Sequence, residues 1–393
     1  MILPLIAFFL LYGSLHLYVF VKVTDALVLG PALSLILAAF MGIMVAAPLL
    51  VRISTSRGLS LLARAISHIG YTWMGLAFLF FSFSLLVDLF RLTLHGTGLL
   101  LHRDFSPFIH SHRLTFTLPL LVTLAIASYG CLEARNIRNE TLTIQSPKIP
   151  RESGGMTIVA LSDIHLGLLA KRARLERILE QVKRAEPDIL VSTGDLLDGQ
   201  VDDLEGLAEP LGAIHPRYGK FAVTGNHEFY AGLDRAIDFT EKAGFTVLRG
   251  EAVTVDGVNI VGFDDPTGEH FGFVRGSSER ELLSSLPEDK FTILLKHRPV
   301  VDAGALGLFD LQLSGHTHNG QIFPFVLITR LFFPVAAGLV RLAEGSLLYV
   351  SRGAGTWGPP IRFLSTPEIT VIRLLHRSDE RTGCRPEGKK GTC

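Results

Sequence analysis

The sequence LQLSGHTHNGQIFPF, residues 311–325, carries an apolar run, a glycine-flanked pair of histidines and a second apolar stretch. The run before the histidines has the length and composition of a buried strand. Gly315 and Gly320 let the backbone turn sharply, so that His316 and His318 are free to point in different directions. Imidazoles are common metal ligands. We therefore predict a strand that ends in a metal-binding turn.

Four segments upstream repeat this arrangement of an apolar run followed by residues able to bind metals. Asp, Asn and Gly are ordinary turn residues, so each segment alone indicates little, and their joint recurrence is what points to a site. Ligands in open α/β folds collect beyond the carboxyl ends of the strands, where loops converge. We therefore expect the side chains of all five segments to meet. The four segments are SDIH with Asp163 and His165, TGDLLD with Asp195 and Asp198, TGNHE with Asn226, His227 and Glu228, and KHRP with His297.

The spacing of apolar residues between these segments predicts the fold class. Lys171–Asp188 has leucine, isoleucine and valine at helical intervals, and Pro187 closes it. Short β-branched runs alternate with such stretches at first and then follow one another more closely. This alternation predicts an α/β sandwich with a mixed sheet layer.

In this order, the motifs D-x-H, G-D-x-x-D, G-N-H-[DE], a lone H and G-H-x-H resemble the calcineurin-like metallophosphoesterase family over residues 156–375. The resemblance implies two mixed sheets flanked by helices. It also implies a metal-dependent hydrolase that acts on phosphoric ester or diphosphate bonds. The segment YVSRGAGTWGPPIRF, residues 349–363, looks like bacterial members with N-terminal transmembrane helices.

The resemblance further implies two divalent metals that share a carboxylate. Mixed oxygen and nitrogen ligands suit Mn, Fe, Zn or Co, and the sequence does not choose among them. His227 would protonate the leaving oxygen or stabilise the phosphoryl charge, and Asp198 would orient either His227 or a metal ligand. By resemblance, the first metal takes Asp163, His165, Asp195 and His318, and the second takes Asp195, Asn226, His297 and His316, with Asp195 as the bridge.

The sequence suggests roles for three further residues, and for two of them it leaves an alternative open. Arg298 either contacts phosphate as a fork or forms a structural salt bridge. Trp357 and Arg362 are expected to help to grip the substrate, although Trp357 is equally compatible with a core position.

The composition indicates a membrane protein. Of 393 residues, 48% are hydrophobic and 19% are charged, with a mean hydropathy of +0.38, so the chain is more apolar than an ordinary soluble protein. The apolar excess lies in residues 1–134, where we predict four transmembrane helices. The first is not read as a signal peptide, because it lacks a basic start and three more spans follow. The predicted spans are about 3–21, 28–51, 70–90 and 115–133.

The distribution of arginines predicts the orientation of these helices. Arg52, Arg57 and Arg64 lie between spans two and three, and Arg135 and Arg138 follow span four. By the positive-inside rule, both termini and the catalytic domain lie in the cytoplasm, in a multi-pass protein.

Four stretches outside the spans and motifs have less specific interpretations. Residues 135–155 are polar and are assigned as a linker, with an entry strand as the alternative, ahead of a catalytic domain at 156–375. Residues 376–393 are predicted to be a disordered tail. The loop 101–113 holds three histidines without ligand spacing, so we expect a solvated loop. The fourth stretch is Ile322–Val340.

Ile322–Val340 is apolar but is broken by Pro324, Arg330 and Pro334, so it is too short for a comfortable span. One interpretation is a buried hairpin in the core. We prefer an apolar lip that dips into the lipid bilayer, with Arg330 reaching the headgroups. A lip beside the metals predicts a lipid-like phosphoester substrate, with a UDP-diacylglucosamine-type pyrophosphate as one candidate.

Other functions are less consistent with the sequence. Zero net charge and the lack of a basic stripe argue against nucleic acid as a partner. One alternative is a tethered phosphodiesterase acting on soluble nucleotides. Another is a membrane transporter or sensor with a regulatory metal-binding domain, but the spans hold few charges and His227 is present. Cys131, Cys384 and Cys393 form no metal or disulfide pattern.

Overall fold

The computed structural model describes residues 2–103, 112–151, 154–199, 204, 206–273 and 278–377. Its first third consists of four helices, each long and apolar enough to cross a membrane. The third has 42 residues and is therefore about 60 Å long, twice the hydrocarbon thickness of a bilayer. The helices thus extend beyond the predicted spans, and most of the histidine-containing loop lies outside the described residues. The helices are α1 (Ile2–Leu27), α2 (Pro31–Ser56), α3 (Ser60–Leu101) and α4 (His112–Glu133).

Close packing and polar contacts hold the apolar helices together. A Cβ atom on Gly70 of α3 would come within 2.6 Å of the Cβ of Ala47 in α2, so the two helices touch there through small residues. At the other end of α3, Asp88 accepts hydrogen bonds of 2.6 Å each from Lys22 and Tyr18 of α1. Charged groups in apolar helices generally pair in this way.

The rest of the described chain forms two six-stranded sheets packed face to face. In each sheet, a run of four strands is parallel, and the outer strands include antiparallel ones. The first sheet has the order β1 (Arg138–Ser146), β12 (Glu368–His376), β2 (Met156–Leu161), β3 (Ile189–Ser192), β4 (Lys220–Ala222), β5 (Thr246–Val247). The second has the order β10 (Gly338–Arg341), β11 (Leu347–Val350), β9 (Leu311–Ser314), β8 (Phe291–Leu295), β7 (Val258–Gly262), β6 (Glu251–Val255).

Both faces of the first sheet are covered, which explains its uninterrupted apolar strands. In β2, Ile158 and Ala160 join the core between the sheets, whereas Val159 and Leu161 face the helical layer. The predicted helix within Lys171–Asp188 covers that outer face. The α/β sandwich predicted from the sequence is therefore confirmed. The helices of this unit are α5 (Arg172–Ala185), α6 (Ala208–Gly212), α7 (Asn226–Ala231), α8 (Leu233–Lys242), α9 (Thr267–His270), α10 (Glu279–Ser284) and α11 (Phe325–Phe332).

The segment 135–155, assigned as a linker with an entry strand as the alternative, contains strand β1, so the alternative is confirmed. This strand pairs in parallel with β12 from Arg138 opposite Glu368 to Ser146 opposite His376. Ile144 joins the core between the sheets, so the strand is part of the sandwich. The sandwich therefore begins 18 residues before Met156, the boundary inferred from the motifs. At the other end, residues 378–393 of the predicted tail lie outside the described residues.

The apolar stretch after the histidines forms α11 on the surface. The side chains of Leu331 and Phe332 are 80% and 74% exposed, so the interpretation as a buried hairpin is wrong. At the start of the helix, Phe325 makes an edge contact of 5.9 Å with Phe78 of α3. The catalytic unit therefore rests against the apolar helices on the side where α11 lies.

Candidate metal centre

All nine predicted site residues lie at the carboxyl ends of parallel strands and meet in the structure. They follow β2, β3, β4, β8 and β9. In the described part of the chain, three groups of side chains have potential ligand atoms within 4.8 Å of one another. Asp195 belongs to two of these groups. The groups are Asp163 with His165 and His318, Asp195 with His297 and His316, and His165 with Asp195 and His227.

Asp195 lies between the two predicted metal positions. Its Oδ2 atom is 3.2 Å from Nε2 of His297 and 3.7 Å from Nε2 of His165. The amide oxygen of Asn226 is 3.2 Å from the same nitrogen of His297, and Nδ1 of His316 is 3.1 Å from it. One carboxylate oxygen thus faces ligands of both groups, as a bridging role requires.

Several of these residues have unusual backbone conformations. Asp163, His165, Asp195, His316 and His318 all have φ between 48° and 71°, a left-handed region that residues with a Cβ rarely adopt. Such strain is retained where the surrounding structure over-determines it, and it concentrates at functional sites. The sharp turns at the strand ends are therefore made by the candidate ligands themselves.

The two glycines predicted to shape the histidine turn act in different ways. A Cβ on Gly315 would lie 1.8 Å from Oγ of Ser162 and 2.2 Å from Oδ2 of Asp163, so this glycine is needed for close approach. Gly320 has a φ of 70° and supplies the left-handed turn that we expected. The backbone N–H of His316 also donates to Asp163 at 3.0 Å, which ties the two turns together.

The charges of the centre favour cations. Burial lowers the pKa values of His165 and His316 to about 3 each and that of His318 well below its usual value. Burial also lowers the pKa of His297, but the carboxylate of Asp195 outweighs it and raises that pKa to about 10. Burial raises the pKa of Asp195, but the charge of His297 outweighs it and holds that pKa well below its usual range. A histidine binds metal as the neutral imidazole, so a metal ion held by His297 would displace its proton.

The donor set fits two divalent ions. Carboxylate oxygens, imidazole nitrogens and one amide oxygen suit Mn, Fe, Zn or Co. The Nε2 atoms of His165 and His318 lie 3.0 Å apart in a buried position, and Oδ1 of Asp163 is 3.5 Å from the latter. Two buried imidazoles that point lone pairs into one space, beside a carboxylate, are arranged as ligands of a shared cation.

His227 stands beside this centre in a position to move a proton. Its ring lies 4.6 Å from that of His165, and its Nδ1 is 3.0 Å from Oδ1 of Asp198. Burial lowers its pKa, but the carboxylates of Asp195 and Asp198 outweigh this and raise it to about 9. These two carboxylates therefore favour the protonated imidazole. The backbone N–H of Gly199 donates to Asp198 at 2.8 Å and fixes that carboxylate.

Comparison with known proteins identifies the family. The family model described as calcineurin-like phosphoesterase matches residues 156–320. An uncharacterised metallophosphoesterase of Aquifex aeolicus is 41% identical over 258 residues, which cover 65% of this chain and 98% of that relative. The chain belongs to the calcineurin-like phosphoesterase family. This metallophosphoesterase is therefore a metal-dependent hydrolase of phosphoester bonds, and it uses two divalent metal ions.

Other similar proteins include one described as a transmembrane protein. This protein, a transmembrane protein with metallophosphoesterase domain from Danio rerio, is 35% identical over 271 residues. The match covers 65% of this metallophosphoesterase and 62% of the relative. The crystal structure of a dimetal phosphatase from Danio rerio is similar at a TM-score of 0.35 with 14% identity, covering 52% of this chain and 89% of that one. Four apolar helices and the transmembrane relative associate this metallophosphoesterase with membranes.

Glu228 supports the metal centre of this metallophosphoesterase from behind, in a way that the motif did not reveal. The carboxylate is 3% exposed and accepts backbone N–H groups from Gly225 at 2.7 Å, Asp195 at 3.0 Å and Leu197 at 3.1 Å. It binds the two ligand-bearing turns to each other. The only sequence signal is its place directly after His227.

Arg362 does not contact substrate, contrary to our expectation, because it is fully buried. Its Nη2 lies 2.9 Å from Nδ1 of His318, behind the metal centre. Trp357 is 54% exposed, with its ring 6.4 Å from that of His227, so it is not a core residue. Arg298 forms the salt bridge that was one of its two interpretations, with Nε 2.8 Å and Nη2 3.2 Å from the carboxylate of Asp265.

Proposed function

We propose that this metallophosphoesterase hydrolyses a phosphoester or pyrophosphate bond in a lipid-linked substrate that it takes from the membrane surface. A UDP-diacylglucosamine-type pyrophosphate is one substrate of this class. The observation that carries the proposal is the position of α11. The helix follows the ligand turn of His316 and His318 directly and exposes Leu327, Ile328, Leu331 and Phe332.

The proposed roles of the site residues follow from their positions. Asp163, His165, Asp195 and His318 would bind one metal, and Asp195, Asn226, His297 and His316 the other. When bound, two divalent metals supply Lewis acidity and activate the attacking water. The protonated His227 would donate its proton to the leaving oxygen, and Asp198 would hold its ring through Nδ1 at 3.0 Å.

Two contacts connect this chemistry with the apolar surface. The ring of Phe333, directly after α11, lies 5.1 Å from that of His316. At the opposite end of the helix, Phe325 contacts Phe78 of α3. An acyl chain on α11 would therefore have a continuous apolar path from the transmembrane helices to the metal centre. An exposed apolar face rimmed by polar residues is typical of a membrane interaction site.

We further propose that the protein is multi-pass and that its catalytic domain faces the cytoplasm. Leu168 of the catalytic domain packs against Val51 and Ala63, next to Arg52 and Arg64. The arginine-rich end of the bundle is thus the end that contacts the catalytic domain, and such ends face the cytoplasm. A reporter fused after residue 393 tests this: green fluorescent protein should fluoresce, and a periplasmic alkaline phosphatase should be inactive.

The substrate class is tested with the full-length protein in phospholipid nanodiscs with Mn²⁺. Turnover of a diacylated UDP-sugar is compared with that of bis-p-nitrophenyl phosphate. We expect much faster turnover of the acylated substrate. Equal turnover of the two would overturn the lipid-linked assignment and favour soluble phosphodiesters.

A pair of variants sharpens this test. Replacing Leu331 and Phe332 by Asn should reduce turnover of the acylated substrate by about tenfold and leave bis-p-nitrophenyl phosphate unchanged, because only the former uses the apolar path. Leu339→Asn is the matched control, since Leu339 is 45% exposed but lies on β10 outside α11. An equal effect of all these changes on both substrates would exclude a specific role of α11.

Hydrolysis of soluble nucleotides is the second candidate, and one observation favours it. Tyr230 is 54% exposed, its ring lies 5.4 Å from that of His227, and Phe271 is 6.3 Å beyond it. Exposed aromatic rings beside a phosphoryl site are able to stack on a base. Tyr230→Ala should raise KM for a nucleotide diester without changing that for bis-p-nitrophenyl phosphate if this function holds.

A further inference from the structure

Arg362 is a buried cation that donates its hydrogen bonds mainly to backbone carbonyl oxygens. It is 0% exposed and donates to Arg352 O at 2.7 Å, Gly355 O at 2.6 Å and His318 O at 3.2 Å. Nη2 lies 2.9 Å from Nδ1 of the His318 ring. Burying a guanidinium is costly, and its five donors in a rigid fork fix the geometry of whatever accepts them. Arg362 therefore holds both the backbone and the ring of His318.

The residue before Arg362 is clamped between two apolar helices. Ile361 is fully buried and packs with Leu79 of α3 and Ala127 of α4. A Cβ on Gly75 would lie 2.8 Å from Cδ1 of Ile361, and a Cβ on Gly130 would lie 2.5 Å from its Cγ2. A glycine inside a helix costs about 1 kcal/mol relative to alanine. The two glycines stand where any larger residue would displace Ile361, and we call them the glycine seat.

The main chain connects the glycine seat with Arg362 directly. The backbone N–H of Arg362 donates to the carbonyl oxygen of Gly130 at 3.0 Å. A Cβ on Gly130 would also approach the carbonyl oxygen of Arg362 to 3.0 Å. A displacement at α4 is therefore transmitted to the residue that contacts His318.

A second link braces the same two segments. The side-chain amide of Gln321 donates to the carbonyl oxygens of Trp357 at 2.9 Å and Pro359 at 2.8 Å, and its oxygen accepts the N–H of Trp357 at 2.8 Å. Gln321 lies three residues after His318. Three hydrogen bonds therefore join the histidine turn to the segment around Ile361.

We propose that Arg362 is a positioning residue through which the glycine seat of α3 and α4 sets the place of His318. The transmembrane helices are then part of the catalytic structure as well as a membrane anchor. The inference rests on the ligand set proposed above and does not depend on which phosphoester is hydrolysed.

The test measures Mn²⁺ binding to the full-length protein in detergent, without any phosphoester. Gly75→Ala should weaken the binding of one of the two ions by about tenfold, as loss of support behind a ligand commonly does. Gly96→Ala is the matched control, because Gly96 lies in the same helix with open space around its Cα. Adding Ile361→Val to Gly75→Ala should restore the affinity, since valine lacks the Cδ1 atom that the new methyl group meets.

Two results would overturn the proposal. One is wild-type affinity for both ions in folded Gly75→Ala, and the other is an equal loss in Gly96→Ala. If Gly75→Ala does not fold, Arg362→Lys serves instead, because lysine keeps the charge but loses the fork on His318. We expect it to weaken one ion about tenfold and to alter the absorption of one of two bound Co²⁺ ions. Unchanged binding and absorption in Arg362→Lys would refute the positioning role even if the lipid-linked substrate were confirmed.

Discussion

The buried carboxylate of Glu228 accepts a hydrogen bond of 3.0 Å from the backbone N–H of Asp195. It thereby braces the turn that presents the proposed bridging carboxylate, without reaching into the metal centre itself. The same carboxylate fixes Gly225, where a Cβ would lie 2.2 Å from Oδ1 of Asp195. The bridge is thus held from behind by a residue one position after the proposed acid.

Glu228→Gln should destabilise the protein and weaken metal binding. The amide NH₂ group would face backbone donors that now reach a carboxylate, and each buried donor left unpaired costs about 1–3 kcal/mol. The melting temperature and the metal content after dialysis measure this effect. Glu241→Gln, on the exposed surface of α8, is the control. Unchanged values in Glu228→Gln would show that the three hydrogen bonds are dispensable.

His227→Ala should leave metal content near the wild-type value and reduce turnover by about 10²-fold, as loss of a general acid does. The loss should be larger for an alkyl leaving group than for p-nitrophenolate, because the latter needs less protonation. Steady-state rates with both ester types measure the difference. An equal loss for the two esters would contradict the assignment of His227 as the acid.

Asp195→Asn should lose metal together with activity. The carboxylate faces both predicted ligand groups, and a neutral amide does not balance the charge of two divalent ions. Elemental analysis of the purified variant decides the matter. Asp238→Asn, with the side chain of Asp238 64% exposed on α8, should retain the wild-type metal content. Full metal occupancy in Asp195→Asn would refute the bridge.

Gly353→Ala should impair the centre far more than Gly358→Ala. Both glycines have positive φ, at 76° and 63°, so both changes strain the backbone by about 1 kcal/mol. Only at Gly353 does the new Cβ approach Asp163, to 2.7 Å from its Cβ, whereas the space at Gly358 is open. Measuring the metal content and the turnover of both variants separates the steric effect on Asp163 from the backbone strain that the two changes share. Equal losses would mean that Asp163 tolerates the displacement.

Removal of metal should lower the melting temperature. Without cations, Asp163 and Asp195 remain buried beside each other, and a ligand at about a thousandfold its Kd stabilises the folded state by about 4 kcal/mol. Thermal unfolding with a chelator and after readdition of Mn²⁺ measures the loss and its reversal. The same treatment should change Asp195→Asn little, and an equal shift in both proteins would point to metal bound elsewhere.

The sequence predicted the strand ends of the site because each ligand segment is local. His316 and His318 follow an apolar run within a few residues, and the carboxyl ends of parallel strands meet at one edge. The family motifs supplied the pairing of ligands with metals. The α/β sandwich was likewise predictable, because its central strands are buried on both faces and therefore read as short apolar runs between amphipathic helical stretches.

The supports behind these ligands were not predictable, because they depend on distant partners. Arginine is a common substrate-binding residue, so the sequence suggested that role for Arg362. In the structure, Arg362 instead contacts His318, which is 44 positions away in the sequence. Segment 135–155 looked like a linker because polar and apolar residues alternate only in its middle. Its pairing with β12, more than two hundred residues later, has no local signal.

The position of β1 determines where this chain tolerates truncation. A soluble fragment that starts at Met156 would leave the whole nine-residue length of β12 as an open edge, with the backbone groups that face β1 left unpaired. Open edges of this kind template aggregation. A fragment that starts just before Arg138 would keep β12 paired and would leave β1, whose residues are mostly polar and exposed, as the edge of the sheet. Insoluble expression of the shorter fragment would thus reflect a missing strand.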